Sequence, residues 1–282
     1  MAERPARQAP KAQGAQVLRT EQITPHMIRV VLGGDGLADF TLSGFTDHYV
    51  KLCFAPEGAD YGHPFDMARI REEFPRELWP TTRTYTVRSW DPAARELAID
   101  FVVHGDEGLA GPWAARAAAG DLITFLGPGG GYAPDASADW HLLVGDESAL
   151  PAVAAALEQM PAGAAGHAFI EVADASEEQK IASPDGIEVT WLHRGERPFG
   201  EALTAAVKDL EFPAGDVQAF VHGEAGFVKE IRRHLRLDRG IPLPQLSISG
   251  YWRLGQNDDA WRSVKREWNE QVEREQEGGG AA

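Results

Sequence analysis

The sequence predicts two domains: a six-stranded antiparallel β-barrel, followed by an α/β domain with a parallel sheet and a C-terminal helix. Three observations carry this expectation. Six short segments between residues 16 and 126, several alternating apolar and polar residues, are separated by Gly, Pro and Asp clusters, the pattern of a small barrel. After Gly127-Pro128-Gly129-Gly130-Gly131 the pattern changes to apolar strands alternating with helices, which implies a parallel sheet covered on both faces. A chain of 282 residues also has room for two ordinary domains.

Residues 1–15, rich in Ala, Pro, Gln and Arg, read as a flexible tail. The barrel domain spans 16–131, with strands expected at 16–21, 27–32, 48–54, 84–89, 96–104 and 122–126. A long insert precedes the fourth strand, and a short helix near 113–118 follows the fifth. The second domain spans 132–275. Strands are expected at 141–144, 168–172, 187–192, 218–221 and 246–249. A helix over 149–160 carries Leu150, Val153, Ala154 and Leu157 on one face, the i, i+3, i+4, i+7 spacing of an amphipathic helix. Leu203, Ala206, Val207 and Leu210 mark a second helical face, and Phe227, Ile231 and Leu235 a third. A charged helix over 258–275 carries Trp261, Val264 and Trp268 on one side, and 276–282 read as a second flexible tail. The glycine run at 129–131 reads as an interdomain hinge.

Composition narrows the chemistry. There are 27 basic and 43 acidic residues, for a formal net charge of -16. That balance disfavours nucleic acid or an anionic membrane surface as the partner. The single cysteine, Cys53, forms no intramolecular disulfide and belongs to no CxxC, so electrons would travel on an organic cofactor and no metal site is expected. Cys53 lies in an apolar run and reads as a buried structural thiol. The N-terminal segment has no apolar h-region, and no run reaches membrane-spanning length, which makes the cytoplasm the expected location.

Four segments carry candidate chemistry. In Arg83-Thr84-Tyr85-Thr86-Val87-Arg88, strand geometry puts Arg83, Tyr85 and Val87 on one face and Thr84, Thr86 and Arg88 on the other. Tyr85 offers a flat partner for a flavin ring, Thr86 a hydrogen-bonding group for its N5, and Arg83 or Arg88 a guanidinium for a pyrophosphate. An ordinary surface strand would present the same residues. In the second segment, Phe101-Val102-Val103-His104-Gly105, a strand ends; after a glycine-bearing loop a helix starts near Pro112-Trp113-Ala114. Free N–H groups at a helix start suit a diphosphate, Pro suits the first turn, and Gly111 permits close backbone approach. His104 is either a contact to the adenosine or phosphate portion or a loop histidine without a ligand.

The third segment, Gly145-Asp146-Glu147-Ser148, falls at the end of the first strand of the α/β domain, where such sheets bind ligands. It is not GxGxxG, and Ser148 also reads as a plain helix N-cap. The fourth, Gly250-Tyr251-Trp252-Arg253, follows the last expected strand. Its aromatics either cover a flavin face or pack the closing helix. Lys51, within an apolar barrel strand, and Arg253 are the candidate cations for an anionic substrate; a snorkelling surface lysine and a salt bridge to the final helix are the plainer alternatives.

Together, RTYTVR, DFVVHGDEGLAGPWA, GDLITFLGPGG, GDESALPA, VHGEA and SGYWRLG resemble, in this order, the siderophore-interacting protein family, with its ferredoxin-reductase-like fold. The resemblance spans about residues 16–272. It implies a cytoplasmic, FAD-dependent ferric-siderophore reductase supplied by NADH or NADPH, with no stable membrane insertion. The candidate cofactor-binding set is Arg83, Tyr85, Thr86, Val87, Arg88, Val102, His104, Gly111, Pro112, Trp113, Ala114, Asp146, Ser148 and Trp252. Tyr85 and Thr86 stand beside the reacting ring, and the ferric siderophore is the substrate of a monomer. Many members read GPAS before the Trp-Ala pair. Here Gly108-Leu109-Ala110-Gly111 lacks that serine, so backbone donors would carry the phosphate contact. A general flavin or quinone reductase on the same fold, and a siderophore carrier that does not turn over, are the rival readings.

Overall fold

The structure is a computed structural model that describes residues 12–105 and 108–277. The chain divides into two compact units. The first takes in the chain up to Glu21, Ile28–Ser43 and His48–Gly130; the second takes in Gln22–Met27, Gly44–Asp47 and the chain from Gly131 onward.

The first unit contains β1 (Ala12–Thr24), β2 (Met27–Gly33), β3 (Tyr49–Phe54), α1 (Met67–Glu73), β4 (Thr81–Thr86), β5 (Ser89–Asp91), β6 (Glu96–Val102), α2 (Ala110–Arg116) and β7 (Leu122–Gly129). Its sheet has seven strands, not six, in the order β4-β3-β7-β1-β2-β6-β5. The extra strand comes from the segment read as one strand over 84–89. The chain changes partner there. β4 pairs with β3, Val87 N donates to His48 O at 2.7 Å, Arg88 N donates to Ala98 O at 2.9 Å, and β5 pairs with β6. One chain segment thus serves both ends of the sheet and closes it.

Alternation sets the barrel's interior: Val50 and Leu52 of β3, Leu97, Ile99 and Phe101 of β6, and Phe125 of β7 are all buried in one cluster. Each such side chain contributes about 1.5–3 kcal/mol by leaving water. Residues 12–15, read as part of an N-terminal tail over 1–15, are strand: β1 begins at Ala12 and pairs with β7 from Ala12↔Leu126 onward. Residues 1–11 lie outside the described residues. Cys53 is buried, and burial pushes its thiol up to about 11.

The second unit contains β8 (Trp140–Gly145), α3 (Leu150–Gln159), β9 (Ala165–Val172), β10 (Gly186–His193), α4 (Glu201–Asp209), β11 (Val217–Glu224), α5 (Ala225–Arg233) running into a π-helical turn at His234–Asp238, β12 (Leu246–Trp252) and α6 (Asp258–Glu277). The five strands are parallel, in the order β10-β9-β8-β11-β12. Strand order reverses at β8, which places the switch point, where such sheets bind ligands, beyond the carboxyl ends of β8 and β11.

Helix α6 departs from its sequence reading. Trp261 is buried as expected, but Val264 is exposed, and the buried row continues through Val272 and Gln276. Gln276, read as tail, is an anchor: it accepts from Arg232 and its Nε2 donates to Lys229 O at 3.1 Å. Glu277 pairs with Arg232 at 2.9 Å and with Arg236. Trp261 fits because Gly250 has no side chain: a Cβ there would stand 3.2 Å from the indole. Residues 278–282 of the expected tail lie outside the described residues.

Candidate functional site

In the first unit the candidate residues gather on β4, the end of β6 and α2. Register pairs Tyr85 with Val50 and Arg83 with Leu52, so both share the inward face of β4. The Tyr85 ring lies 4.4 Å from Phe101, centroid to centroid. Phe101 meets Trp113 at 5.6 Å, and Trp113 meets Phe54 at 5.9 Å. This aromatic row links β3, β4, β6 and α2. Tyr85 and Trp113 are half-buried and retain accessible ring surface. Thr86 is buried at the end of β4, and Arg83 Nη1 donates to Thr82 O at 3.1 Å.

Past β6, His104 is exposed, and Gly105 and Gly108 have φ of 67° and 86°, the left-handed region that favours glycine. Helix α2 begins at Ala110 rather than near Pro112, and its N-cap, Leu109, makes no side-chain capping bond. The first N–H groups of a helix have no acceptor inside it, and among the described residues no side chain caps this start, a geometry that suits an anion. The loop without the serine is therefore a helix start with backbone donors alone. Flat aromatic surface, a hydroxyl, a guanidinium and uncapped N–H groups make a donor set that fits FAD.

Several candidates have other duties. Gly111 packs the helix on the strand: a Cβ there would stand 3.2 Å from Val102 O. Val87 and Ala114 are buried in the core, and Pro112 is buried within α2, so their side chains pack. Arg88, 9% exposed, turns its Nε to within 3.8 Å of Asp100 Oδ2. Arg29 holds that carboxylate with bonds of 2.6 and 2.8 Å. Lys51 is half-buried opposite Thr84 and Leu126, with no ion pair among the described residues.

In the second unit the carboxyl ends of β8, β11 and β12 meet on Asp146. This residue is 1% exposed. Oδ1 accepts from Ser148 N at 3.0 Å, Ser148 Oγ at 2.5 Å and Ala149 N at 3.2 Å. Oδ2 accepts from Glu224 N at 2.9 Å and Trp252 Nε1 at 2.8 Å. Burial pushes this carboxyl up, and the bonds from Ser148 and Trp252 pull it back. The Asp146 carboxylate holds the turn ahead of α3, its carbonyl accepts from Leu150 N at 2.8 Å, and the Ser148 hydroxyl is spent on Asp146. Glu224 caps α5, Oε2 accepting from Gly226 N at 2.5 Å and Phe227 N at 3.3 Å.

Sequence reading missed the groups around this carboxylate, which are distant along the chain. Arg194 pairs with Glu147 at 2.8 Å and lies 3.6 Å from Glu171. Its guanidinium stacks over Phe199 at 4.0 Å, and Phe199 meets Trp252 edge to face at 5.1 Å. Tyr251 and Trp252 belong to β12 rather than following it. Tyr251 meets His222 edge to face. Arg253 forms no salt bridge to α6 among the described residues. His222 is buried on Phe220, and desolvation lowers it to about 3, so it stays neutral.

Comparison with known proteins decides the family. The family described as "Siderophore-interacting FAD-binding domain" matches residues 16–132, and "Siderophore-interacting protein" matches residues 138–255. The ferric vibriobactin reductase of Vibrio cholerae is 34% identical, covering 88% of this chain and 92% of that protein. The chain belongs to the siderophore-interacting protein family. Another similar protein is the NADPH-dependent ferric-chelate reductase of Escherichia coli, 34% identical over 84% of this chain and 91% of its own length. Among solved structures, a siderophore utilization protein from T. fusca matches with a TM-score of 0.76 and 40% identity, covering 89% of this chain and 96% of its own. Siderophore-interacting proteins thus share both halves of this chain. No helix among the described residues is long and apolar enough to cross a membrane.

Proposed function

We propose that this chain is an FAD-dependent reductase that passes electrons from NADH or NADPH to ferric iron held in a siderophore, releasing Fe(II) in the cytoplasm. The observation that carries the reading is the uncapped start of α2 beside the Tyr85–Phe101–Trp113 row. The names of the Vibrio and Escherichia relatives support it. The barrel domain, 16–131, holds the flavin; the α/β domain, 132–275, receives the nicotinamide. The protein acts as a monomer, without a nucleic-acid partner or stable membrane insertion.

Each residue then has a physical task. Tyr85 supplies a flat face for the isoalloxazine ring, and Thr86 a hydroxyl at its edge. Arg83 and the first N–H groups of α2 neutralise the diphosphate. Bound FAD supplies the exchange between a two-electron hydride donor and one-electron iron chemistry. Lys51 and Arg253 attract an anionic ferric chelate against the net charge of -16. Siderophore oxygens hold the less charged Fe(II) weakly, so the reduced ion leaves. No protein nucleophile is needed.

Purified protein should be yellow and release FAD, and each donor followed by a panel of ferric chelates should turn over in stopped flow. Tyr85→Ala should loosen the flavin, and Thr86→Ala should mainly slow its reduction. Lys51→Ala and Arg253→Ala should raise KM for an anionic chelate with little change in kcat. FMN as the sole flavin, or a reduced flavin that no ferric chelate reoxidises, sinks the reading.

A further inference from the structure

The second unit also carries a basis for choosing between the two nicotinamide donors. In sheets of this topology the end of the strand next to the first one faces the adenosine ribose. An acidic residue there accepts from the 2′-hydroxyl of NADH, whereas an arginine there accommodates the 2′-phosphate of NADPH. Strand β9 holds that place, directly beside β8. Two residues past its end stands Asp174, exposed.

The geometry of Asp174 leaves one oxygen for a ligand. Oδ1 accepts from Ser176 N at 2.8 Å and from Ser176 Oγ at 2.6 Å. Oδ2 has no hydrogen-bond partner among the described residues. The Ser176 hydroxyl, the nearest neutral donor for a phosphate, is thereby already committed. The turn after β10 is clipped onto this corner: Arg194 N donates to Val172 O at 2.8 Å and Gly195 N to Ala173 O at 3.0 Å. Its charges are mostly paired. His193 Nε2 lies 2.7 Å from Glu178 Oε1. Arg194 is held by Glu147 and Glu171. Glu177 is buried on Thr24 and His26. Lys180 is exposed farther along the loop. Arg197, exposed beside Glu196, has no ion pair among the described residues. Of the helix starts nearest the switch point, α5 is capped by Glu224, and at α3 the Asp146 carbonyl accepts from Leu150 N at 2.8 Å.

We propose that Asp174 makes this unit selective for NADH over NADPH, its Oδ2 accepting from the adenosine 2′-hydroxyl and its charge repelling a 2′-phosphate. The hydrogen bonds from Ser176 hold the carboxyl below its ordinary range and keep it charged at neutral pH. The inference rests on the reading of the chain as a nicotinamide-driven reductase.

Two measurements on the flavin-loaded full chain test it. Stopped-flow flavin reduction should give NADH a kcat/KM about tenfold above that of NADPH, the worth of one charged hydrogen bond. Asp174→Asn keeps an oxygen for the Ser176 bonds and removes the charge. It should shrink the preference about tenfold, through KM and not kcat. Calorimetric titration with 5′-AMP and 2′,5′-ADP, which differ only in the 2′-phosphate, should show the same ranking without any electron transfer. Arg197→Ala should leave the ranking unchanged. A wild type that prefers NADPH and 2′,5′-ADP, losing that preference in Arg197→Ala, overturns the proposal. So does an Asp174→Asn variant with unchanged ranking. If neither donor reduces the flavin, the functional reading falls, and the fragment titration still decides the role of Asp174.

Discussion

Helix α2 in the first unit and helices α3 and α5 in the second begin in opposite ways. All three start just after a strand or the loop that ends one. The Glu224 carboxylate accepts from the first N–H groups of α5, and at α3 the Asp146 carbonyl accepts from Leu150 N at 2.8 Å while its carboxylate holds the turn ahead of the helix, whereas Leu109 places no side chain on the first N–H groups of α2. A capping side chain is worth about 0.5–2 kcal/mol. Even α1, in the same unit as α2, is capped, with Asp66 accepting from Ala68 N and Arg69 N at 3.0 Å. The difference teaches where to look for an anion. A start left open forgoes stability that a ligand restores; a start closed by the chain's own groups is already satisfied.

The largest expected effect comes from breaking a closed start. Asp146→Ala removes the acceptor of Ser148 N, Ala149 N, Glu224 N and Trp252 Nε1 together. Unfolding in urea should show a loss of about 3 kcal/mol, while the flavin content of the folded fraction stays near wild type. A smaller effect comes from closing the open start. Leu109→Asp supplies α2 with a cap, and flavin-free protein should gain about 1 kcal/mol. The same charge should weaken flavin retention about tenfold, through repulsion of the diphosphate at that helix end, as read by equilibrium dialysis. A variant that gains stability and keeps its flavin would place the diphosphate elsewhere.

The smallest effect lies at the far end of α6, where ion pairs to α5 and its π-helical turn replace capping. Bonds from Arg236 and Arg232 hold Glu277 below the ordinary glutamate range, and Lys229 does the same for Glu275. A depressed carboxyl stabilises the folded state above its unfolded pKa and loses that contribution as pH falls through its folded value. The end of α6 should therefore loosen below the ordinary glutamate range. For pairs this near solvent the change is small, and amide exchange along the last turn of α6 measures it.

How much of this was legible in the sequence differs by region. The strands of the second unit stood out because β8 and β11, buried on both faces, are nearly continuous apolar runs. The barrel closure did not, because Thr84 to Ser89 reads as one extended segment while the chain exchanges β3 for β6 as its partner at Val87 and Arg88. Periodicity reports which way a side chain faces, not which strand lies beside it. Tyr85 and Thr86 are proposed from one short segment. Arg194, Phe199 and Glu171 were not legible in the sequence, since only the sheet brings their strand ends to Trp252 and Asp146. The place of Asp146 at the end of β8 was visible in the sequence, and its five donors, scattered along the chain, were not. On α6, Val264 was taken for the buried face, but the row runs 261, 265, 268, 272, 276, with half-buried Lys265 reaching Ser249 at 3.2 Å.

The placement of α6 has a consequence for how the protein behaves in a crowded solution. β12 is the last strand of an open sheet, and its sequence, Leu246-Ser247-Ile248-Ser249-Gly250-Tyr251-Trp252, is uncharged and rich in apolar and aromatic residues. Such a strand, laid bare at a sheet edge, is a template on which a second chain can add its own strand. With Trp261 seated at Gly250 and Lys265 bonded to Ser249, the helix acts as a guard on that edge. Losing it would bring self-association before it brought unfolding.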